Sequence, residues 1–174
     1  MTTRITIEFL VPPDPFLDDD MRNPPLGVLY LAAVVRQEGY PVKITDLRSR
    51  KPEEFSNLIG ESDVYGVTST SPEYPMALEI ARIAKTKNPG GCVVLGGIHA
   101  TSVPNSIDPV FDRVVVGEGE ESFLRLLKDR EAGRPGSRFY RSAPIHDLNA
   151  LPYPARDMLP FDSIFSRNAF SVGG

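Results

Sequence analysis

Strand-like and helix-like segments alternate along most of the chain, and this alternation restricts the fold more than any other feature. Short apolar runs typical of strands fall at residues 5–11, 42–45, 64–68, 93–95 and 113–116. Segments with apolar residues at helical spacing lie between or after them, at residues 25–39, 52–59, 72–87 and 120–129. Successive βα units predict an α/β fold, a doubly wound parallel sheet of five strands with helices on both faces. A closed barrel would need roughly 250 residues, so we expect an open sheet.

The sequence changes character after Gly133. Proline and polar residues interrupt the remaining segment, although residues 138–141 are compatible with one further short strand. The segment also carries apolar side chains, including Leu151 and Tyr153, and is too apolar for a free linker. We therefore predict one domain at residues 1–133 and an extended, proline-rich C-terminal arm at residues 134–174, which packs against its own domain or a following one.

Charge and composition exclude several classes of partner. The net charge is -4 and the lysines and arginines form no clustered face, so we expect no nucleic-acid partner. No apolar run approaches the roughly 20 residues of a membrane-spanning helix, and the N-terminus lacks the pattern of a signal peptide. We therefore expect a cytoplasmic protein without a membrane partner. The single cysteine, Cys92, excludes an intrachain disulfide and cannot by itself hold zinc or an iron-sulfur cluster.

Residues suited to binding a ligand cluster where the predicted strands end. In open α/β sheets ligands bind at the carboxyl edge of the strands. Glycine there allows close backbone approach, and hydroxyl groups can bond a ligand without adding charge, so the pattern indicates a cofactor cradle. These residues are Thr68, Ser69, Thr70 and Ser71 after the third strand, Gly96, Gly97, Ile98 and His99 after the fourth, and Gly117, Glu118 and Gly119 after the fifth.

Each of these features also has a plainer structural explanation. The glycine pair at 96–97 is equally typical of a tight turn, and the hydroxyl run at 69–71 before Pro72 is typical of a helix cap. Glu118 and its neighbours can simply complement the dipole of the following helix. Motifs for dinucleotide binding, for a P-loop and for a serine hydrolase are absent from the sequence.

Four segments of the chain read PPLGVLYLAAVVRQEGYPVKITD, VYGVTSTSPEYPMALEIARIAKTKNPGGCVVLGGIHATSVPN, DRVVVGEGEESF and LPYPARDMLP. Together they resemble the cobalamin-binding domain that precedes the radical domain in cobalamin-dependent radical S-adenosylmethionine enzymes. The resemblance extends over about residues 4–165. It implies a flavodoxin-like, Rossmann-like sheet of strand order 2-1-3-4-5, with the corrin ring over the strand ends and the nucleotide tail in a groove beside the sheet.

The resemblance also assigns roles to individual residues. It implies that the hydroxyl loop after the third strand contacts the tail and that the glycine pair lets the tail pass. His99 follows the fourth strand and not the first, so it is expected to line the groove and not to bind cobalt. The implied cofactor-binding set is Thr68, Ser69, Thr70 and Ser71; Gly96, Gly97, Ile98, His99, Ala100 and Thr101; Gly117, Glu118 and Gly119; and, on the corrin side, Pro25, Leu26 and Gly27.

Two departures from better-known relatives bear on mechanism. Other cobalamin domains carry D-x-H-x-x-G after the first strand, whose histidine coordinates cobalt, whereas this chain has Phe16 at that position. The resemblance then implies base-off cobalamin without a protein histidine, an arrangement that suits methyl transfer. Cys92 alone cannot supply the cluster motif of a radical enzyme. We therefore expect an N-terminal module that catalyses nothing by itself, joined in a parent methyltransferase to a radical domain with a [4Fe-4S] cluster and S-adenosylmethionine.

Two alternatives stay open from the sequence. One is a flavodoxin-like module for FMN or another nucleotide, in which residues 69–71 would bind a phosphate. The other is a partner-binding domain without a cofactor. A phosphoacceptor domain of the receiver type would need an aspartate at the end of the third strand, where Thr68 and Ser69 stand.

Overall fold

All strands of the described chain belong to one parallel sheet. The computed structural model describes residues 4–17 and 23–159. Within these residues six strands pair in the order β2-β1-β3-β4-β5-β6, and every pairing is parallel. The strands are β1 (Ile7–Val11), β2 (Val42–Asp46), β3 (Val64–Thr68), β4 (Cys92–Gly96), β5 (Arg113–Val116) and β6 (Phe139–Arg141).

Helices connect successive strands up to β5, and one follows it. In the same described residues these are α1 (Leu26–Gln37), α2 (Pro52–Leu58), α3 (Tyr74–Lys87), α4 (Ile98–Ser102) and α5 (Glu120–Glu131), with 3-10 turns at Pro104–Ser106, Leu148–Ala150 and Arg156–Met158. Proline stands in the first turn of α2 and of α3, where its missing N–H costs no helical hydrogen bond. None of the helices in this part of the chain has the length and apolar character needed to cross a bilayer.

The two faces of the sheet carry separate hydrophobic cores. Alternate residues of each strand point to opposite faces, so Phe9 and Val94 pack with α1 and α5, whereas Leu10 and Leu95 pack with α2, α3 and α4. The chain therefore covers both faces, as a doubly wound sheet requires. The strand order reverses between β1 and β3, which places the switch point of the sheet beside their carboxyl ends.

The predicted fold class and the order 2-1-3-4-5 are confirmed, but the sheet has one strand more than the five predicted. The extra strand, β6, extends the sheet beyond β5 and buries Tyr140. The guanidinium of Arg138 donates to the carbonyl oxygens of Phe111 and Ile107, which fixes the start of the strand. A run of three residues is too short to show a strand pattern, so its pairing was not evident from the sequence.

The described part of the C-terminal arm, up to residue 159, lies against α1. The Ala155 N–H donates to the carbonyl oxygen of Leu29 at 3.0 Å, and Leu159 packs against the Leu29 side chain. Farther along the helix, Arg36 forms two hydrogen bonds with the Asp157 carboxylate, at 2.6 and 3.2 Å. The boundary at residues 133 and 134 stays a prediction, although β6 of the arm belongs to the same sheet as β5.

Candidate functional site

A cleft of about 280 Å³ opens between α1 and α5 at the carboxyl edge of the sheet. Its inner part lies over β1, β3, β4 and β5, and its mouth is formed by the loops that follow β4 and β5. The residues that line it are Phe9, Gly27, Val28, Leu31, Gly66, Val67, Thr68, Val94, Gly96, Gly97, Val115, Gly117, Glu118, Gly119, Glu120 and Phe123.

Gly66 allows an aromatic side chain to lie across the floor of the cleft. Phe9, Gly66 and Val94 pair side by side across β1, β3 and β4. A Cβ atom at Gly66 would stand 2.6 Å from the Phe9 ring, so no other residue fits beneath that ring as it lies. The ring also contacts Phe123 of α5, with centroids 5.2 Å apart. The floor is therefore aromatic and aliphatic, with no side-chain donor or acceptor.

The two glycines at the end of β4, Gly96 and Gly97, are required for different structural reasons. A Cβ atom at Gly96 would meet nothing closer than Val115, at 3.9 Å, so the space beside Gly96 belongs to the cleft. Gly97 has φ of +90°, and a Cβ atom there would stand 2.8 Å from the carbonyl oxygen of Ser69. Backbone conformation and the approach of its own chain therefore require Gly97, whereas Gly96 leaves room for a ligand.

At three further lining positions, Gly27, Gly117 and Gly119, no side chain projects into the cleft. Gly117 has φ of +83° and open space at its Cβ position, and Gly27 of α1 also has no atom within 4 Å of that position. At Gly119 an added Cβ would be in ordinary contact with Leu31, at 3.5 Å. The Glu118 carboxylate accepts a hydrogen bond from the Ile145 N–H at 2.5 Å, so the arm passes close to this rim.

The hydroxyl loop after β3 is already bonded within the protein. The buried Ser69 hydroxyl donates to the Thr70 carbonyl oxygen at 2.6 Å. The Thr70 N–H donates to the Glu73 carboxylate, also at 2.6 Å. A phosphate in this loop would face that carboxylate and would find these donors occupied, so the geometry disfavours a phosphate site here. The Thr70 hydroxyl oxygen is buried and lacks a hydrogen-bond partner within the described residues.

His99 lies on the other side of β4 from the cleft. Its Nδ1 is 3.0 Å from the Ser71 hydroxyl, and its ring stacks on Tyr74 of α3 with centroids 4.1 Å apart. Partial burial lowers the pKa of His99 below its ordinary value. Ala100 beside it is fully buried, and the Thr101 hydroxyl joins two loops by donating to the Gly97 carbonyl oxygen and accepting from the Gly117 N–H.

Apolar side chains surround the carboxyl edge above the cleft. Phe16 in the loop after β1 is 79% exposed, and Ile98 after β4 is 61% exposed. Leu26, in the first turn of α1, is 43% exposed. Large apolar groups at a ligand-binding edge indicate a surface that a bulky, partly apolar ligand can cover.

The segment that leads into α1 is fixed by Arg48. Its guanidinium donates to the Asn23 carbonyl oxygen at 2.6 Å and to both oxygens of the Asp46 carboxylate, at 2.8 and 2.6 Å. The pair is nearly buried at the end of β2. The acidic run 18–20, taken from the sequence as a solvated loop, lies outside the described residues.

The structure brings about half of the sequence-predicted site residues together in the cleft. Those that line it are Gly27, Thr68, Gly96, Gly97, Gly117, Glu118 and Gly119. The others lie at its edge or behind it: Pro25, Leu26, Ser69, Thr70, Ser71, Ile98, His99, Ala100 and Thr101. Contact of either group with a cofactor stays a prediction.

Sequence reasoning missed the inner half of the cleft. The residues it did not propose are Phe9, Val28, Leu31, Gly66, Val67, Val94, Val115, Glu120 and Phe123. Most of them are apolar residues in strands or helices, which a sequence pattern assigns to the core. One signal was available, because a glycine inside a strand, as at Gly66, often marks a close approach of another group.

Metal-ligating side chains do not cluster in the part of the chain that the structure describes. No group of three or more histidine, cysteine, aspartate or glutamate side chains there could hold a metal ion. Cys92 is buried, and burial raises the pKa of its thiol, which keeps it protonated.

Comparison with known proteins gives a family match and partial similarities. Residues 20–127 match the family model described as the B12 binding domain. The chain is 34% identical over 161 residues to an uncharacterized methyltransferase of Pyrococcus horikoshii, covering 80% of this chain and 35% of that protein. It is 33% identical over 143 residues to the anaerobic magnesium-protoporphyrin IX monomethyl ester cyclase of Rubrivivax gelatinosus, covering 77% and 24%.

A solved structure shares the fold. The radical S-adenosylmethionine methyltransferase TsrM from Kitasatospora setae, determined with its tryptophan substrate and a SAM analog, superposes with a TM-score of 0.60 at 21% sequence identity. The match covers 74% of this chain and 26% of TsrM. The chain thus spans about a third or less of the length of each of these three proteins.

Proposed function

The chain belongs to the B12 binding domain family, and from this premise we propose that it binds cobalamin with the nucleotide tail in the cleft between α1 and α5. The observation that carries the proposal is the cleft itself, because it has an aromatic floor, glycines at its walls and an opening at the carboxyl edge of the sheet. A flat heterocyclic base fits such a space. The larger corrin ring would then cover the exposed side chains of Phe16, Leu26 and Ile98.

We further propose that cobalamin binds base-off and without a histidine from the loop after β1. A base that enters the cleft cannot also coordinate cobalt. Phe16 occupies the position where related domains carry the coordinating histidine, and its exposed ring offers an apolar surface and no lone pair. His99, in the first turn of α4, is bonded to Ser71 and stacked on Tyr74. Cobalt without a strong lower ligand suits methyl transfer.

The parent protein, in this proposal, is a radical S-adenosylmethionine methyltransferase. The similar proteins support it, since they include methyltransferases and the radical enzyme TsrM. A radical domain of the parent would supply the [4Fe-4S] cluster and the S-adenosylmethionine site and would be the partner of this module, and the chain alone would catalyse nothing. We expect neither nucleic acid nor membrane as a partner and a cytoplasmic location.

Retention of the cofactor tests the binding proposal. The chain is mixed with hydroxocobalamin and desalted, and the visible spectrum is recorded. We expect a retained corrin with a base-off spectrum, and after reduction an electron paramagnetic resonance signal without nitrogen splitting from an axial ligand. Loss of the corrin on desalting would overturn the proposal, and retention of FMN in its place would favour the nucleotide alternative.

A matched pair of glycine variants shows where the cofactor lies. Gly96→Val places a side chain in the cleft where the structure leaves open space, and β4 tolerates valine there. Gly90→Val, in the exposed turn before β4 at the opposite edge of the sheet, also has room for a side chain. We expect Gly96→Val to lose cobalamin and Gly90→Val to retain it, with both variants folded. Equal retention by both variants would contradict this location of the tail.

A further inference from the structure

The deep part of the cleft offers a ligand only carbon surface. Phe9, Val94, Val115 and Phe123 are each at most 3% exposed, and all four contribute side chains to the lining. Leu31 and Val28 of α1 close the adjoining wall. The backbone groups beneath them are paired within the sheet.

Polar side chains are confined to the mouth of the cleft. They belong to Thr68 at the end of β3, to Glu118 in the loop after β5 and to Glu120 at the start of α5. Two of the carbonyl oxygens near them already accept a hydrogen bond from the protein. The Gly96 oxygen accepts from the Ser69 N–H at 3.2 Å, and the Glu118 oxygen accepts from the Ser122 hydroxyl at 2.8 Å. A ribose or phosphate could bond at the mouth, but a base lying deeper finds no partner for a polar ring edge.

Natural corrinoids share the ring and differ in the lower base of the tail. A dimethylbenzimidazole carries methyl groups on its outer edge, whereas a purine of similar size carries ring nitrogens and an amino group. Apolar methyl groups gain by leaving water. A buried amino group or ring nitrogen without a hydrogen-bond partner loses its hydration and gains nothing in return.

We infer that the cleft selects among corrinoids, favouring those with an apolar benzimidazole base over those with a purine base. The inference rests on the proposed function and adds to it the class of corrinoid bound. Shape contributes little to this choice, since both bases are flat and bicyclic. The selecting groups are Phe9, Val94, Val115 and Phe123, which surround the part of the cleft that the outer edge of the base would reach.

Binding of three probes tests the inference. Dissociation constants are measured for hydroxocobalamin, for its analogue with adenine as the lower base, and for cobinamide, which has no base. We expect hydroxocobalamin to bind about 10- to 100-fold more tightly than the adenine analogue, the discrimination typical of an apolar pocket. We also expect the adenine analogue to bind about as weakly as cobinamide.

The outcomes separate this inference from the proposed function. Retention of none of the three probes overturns the proposed function and the inference together. Equal affinity for hydroxocobalamin and the adenine analogue, with cobinamide weaker, overturns the inference alone. Equal affinity for hydroxocobalamin and cobinamide also overturns it, because the base would then not enter the cleft.

A pair of valine variants assigns the selectivity to the cleft wall. Val115→Thr adds a hydroxyl to the cleft at nearly constant volume, whereas Val114→Thr adds one on the opposite face of the same strand, where Val114 is fully buried. We expect Val115→Thr to narrow the difference between the two bases severalfold and Val114→Thr to leave it unchanged. Thermal unfolding of both variants shows whether they are folded, and an unchanged preference in folded Val115→Thr would contradict the assignment.

Discussion

The two faces of one sheet differ in how completely they are filled. On the face toward α3, Leu10 and Leu95 are buried beneath that helix, each 0% exposed. On the face toward α1 and α5, the neighbouring residues Phe9, Gly66 and Val94 form the floor of an open cleft. The strands and their register are the same, so missing side chains at glycines and the separation of two helices create the site. The absence of side chains at glycine positions can thus create a binding site.

The largest effect is expected from substitution of the two glycines at the end of β4. Gly97→Val forces a side chain into a backbone with φ of +90° and against the Ser69 backbone, so we expect the free energy of unfolding to fall by roughly 3 kcal/mol or more. Gly96→Val has room and should change it by less than about 1 kcal/mol. Chemical denaturation measures both. Equal destabilisation would show that Gly96, like Gly97, is required by the fold and not only by a ligand.

Truncation of two adjacent valines compares the faces directly. Val93 faces the filled core and Val94 faces the cleft. Val93→Ala leaves a closed cavity, so we expect a loss of about 2 kcal/mol in unfolding free energy, whereas Val94→Ala enlarges an open space and should cost about 1 kcal/mol. Denaturant titration of the two variants provides the measurement. If Val94→Ala costs as much as Val93→Ala, the cleft is closed in solution and the contrast between the faces fails.

Substitution of two threonines near the end of β3 tests which of them belongs to the cleft. Thr70 has a buried hydroxyl oxygen without a partner in the described chain, so Thr70→Val should raise the free energy of unfolding by about 1 kcal/mol and leave cobalamin affinity unchanged. Thr68 lies at the cleft mouth, so Thr68→Val should lower the affinity severalfold. Calorimetric titration and thermal unfolding measure both quantities. A loss of affinity in Thr70→Val would support the sequence-based assignment of Thr70 to the site.

The smallest effect concerns the titration of His99. Burial holds the pKa of its imidazole below the ordinary value of 6.5, so the unfolded chain takes up a proton first as the pH falls. The contribution of His99 to stability is therefore present above about pH 6.5 and is lost as the pH falls toward the lower, folded-state pKa. Nuclear magnetic resonance follows this titration, and Tyr74→Ser, which uncovers the ring, should return the pKa toward 6.5.

The same titration tests whether His99 lies close to the bound cofactor. Because His99 lies behind the cleft, addition of hydroxocobalamin should leave its pKa unchanged. A shift on binding would show that His99 lines the tail groove, as the sequence resemblance implied.

The sequence predicts the strands of this molecule better than the inner lining of its cleft. Alternating apolar runs and helical segments predicted β1 to β5 as strands of one parallel sheet, and the resemblance supplied their order 2-1-3-4-5. The rule that ligands bind at strand ends found Gly96 and Gly117 in the lining of the cleft. The same rule could not separate Gly96, which opens space, from Gly97, which fits its own chain.

The inner lining could not be predicted because an apolar side chain at a cleft has the same sequence pattern as one in a core. Helix packing alone distinguishes the cleft residues Val94 and Val115 from the core residues Val93 and Val114. The positions of α1 and α5 leave a cleft above the first two. The sequence allowed a further short strand at residues 138–141 but did not show where it would pair, since β6 has three residues and depends on backbone contacts made by Arg138.

The Phe9 ring and the missing side chain at Gly66 bear on how this family can change over time. The two positions are neighbours across β1 and β3, and the ring lies where any Cβ at position 66 would stand. Gly66 cannot gain a side chain unless the Phe9 ring moves or becomes smaller. In sequences of the family we therefore expect these two positions to vary together, a smaller residue at position 9 accompanying any side chain at position 66. An ancestral path between the two states would pass through a smaller residue at position 9 before position 66 gains a side chain.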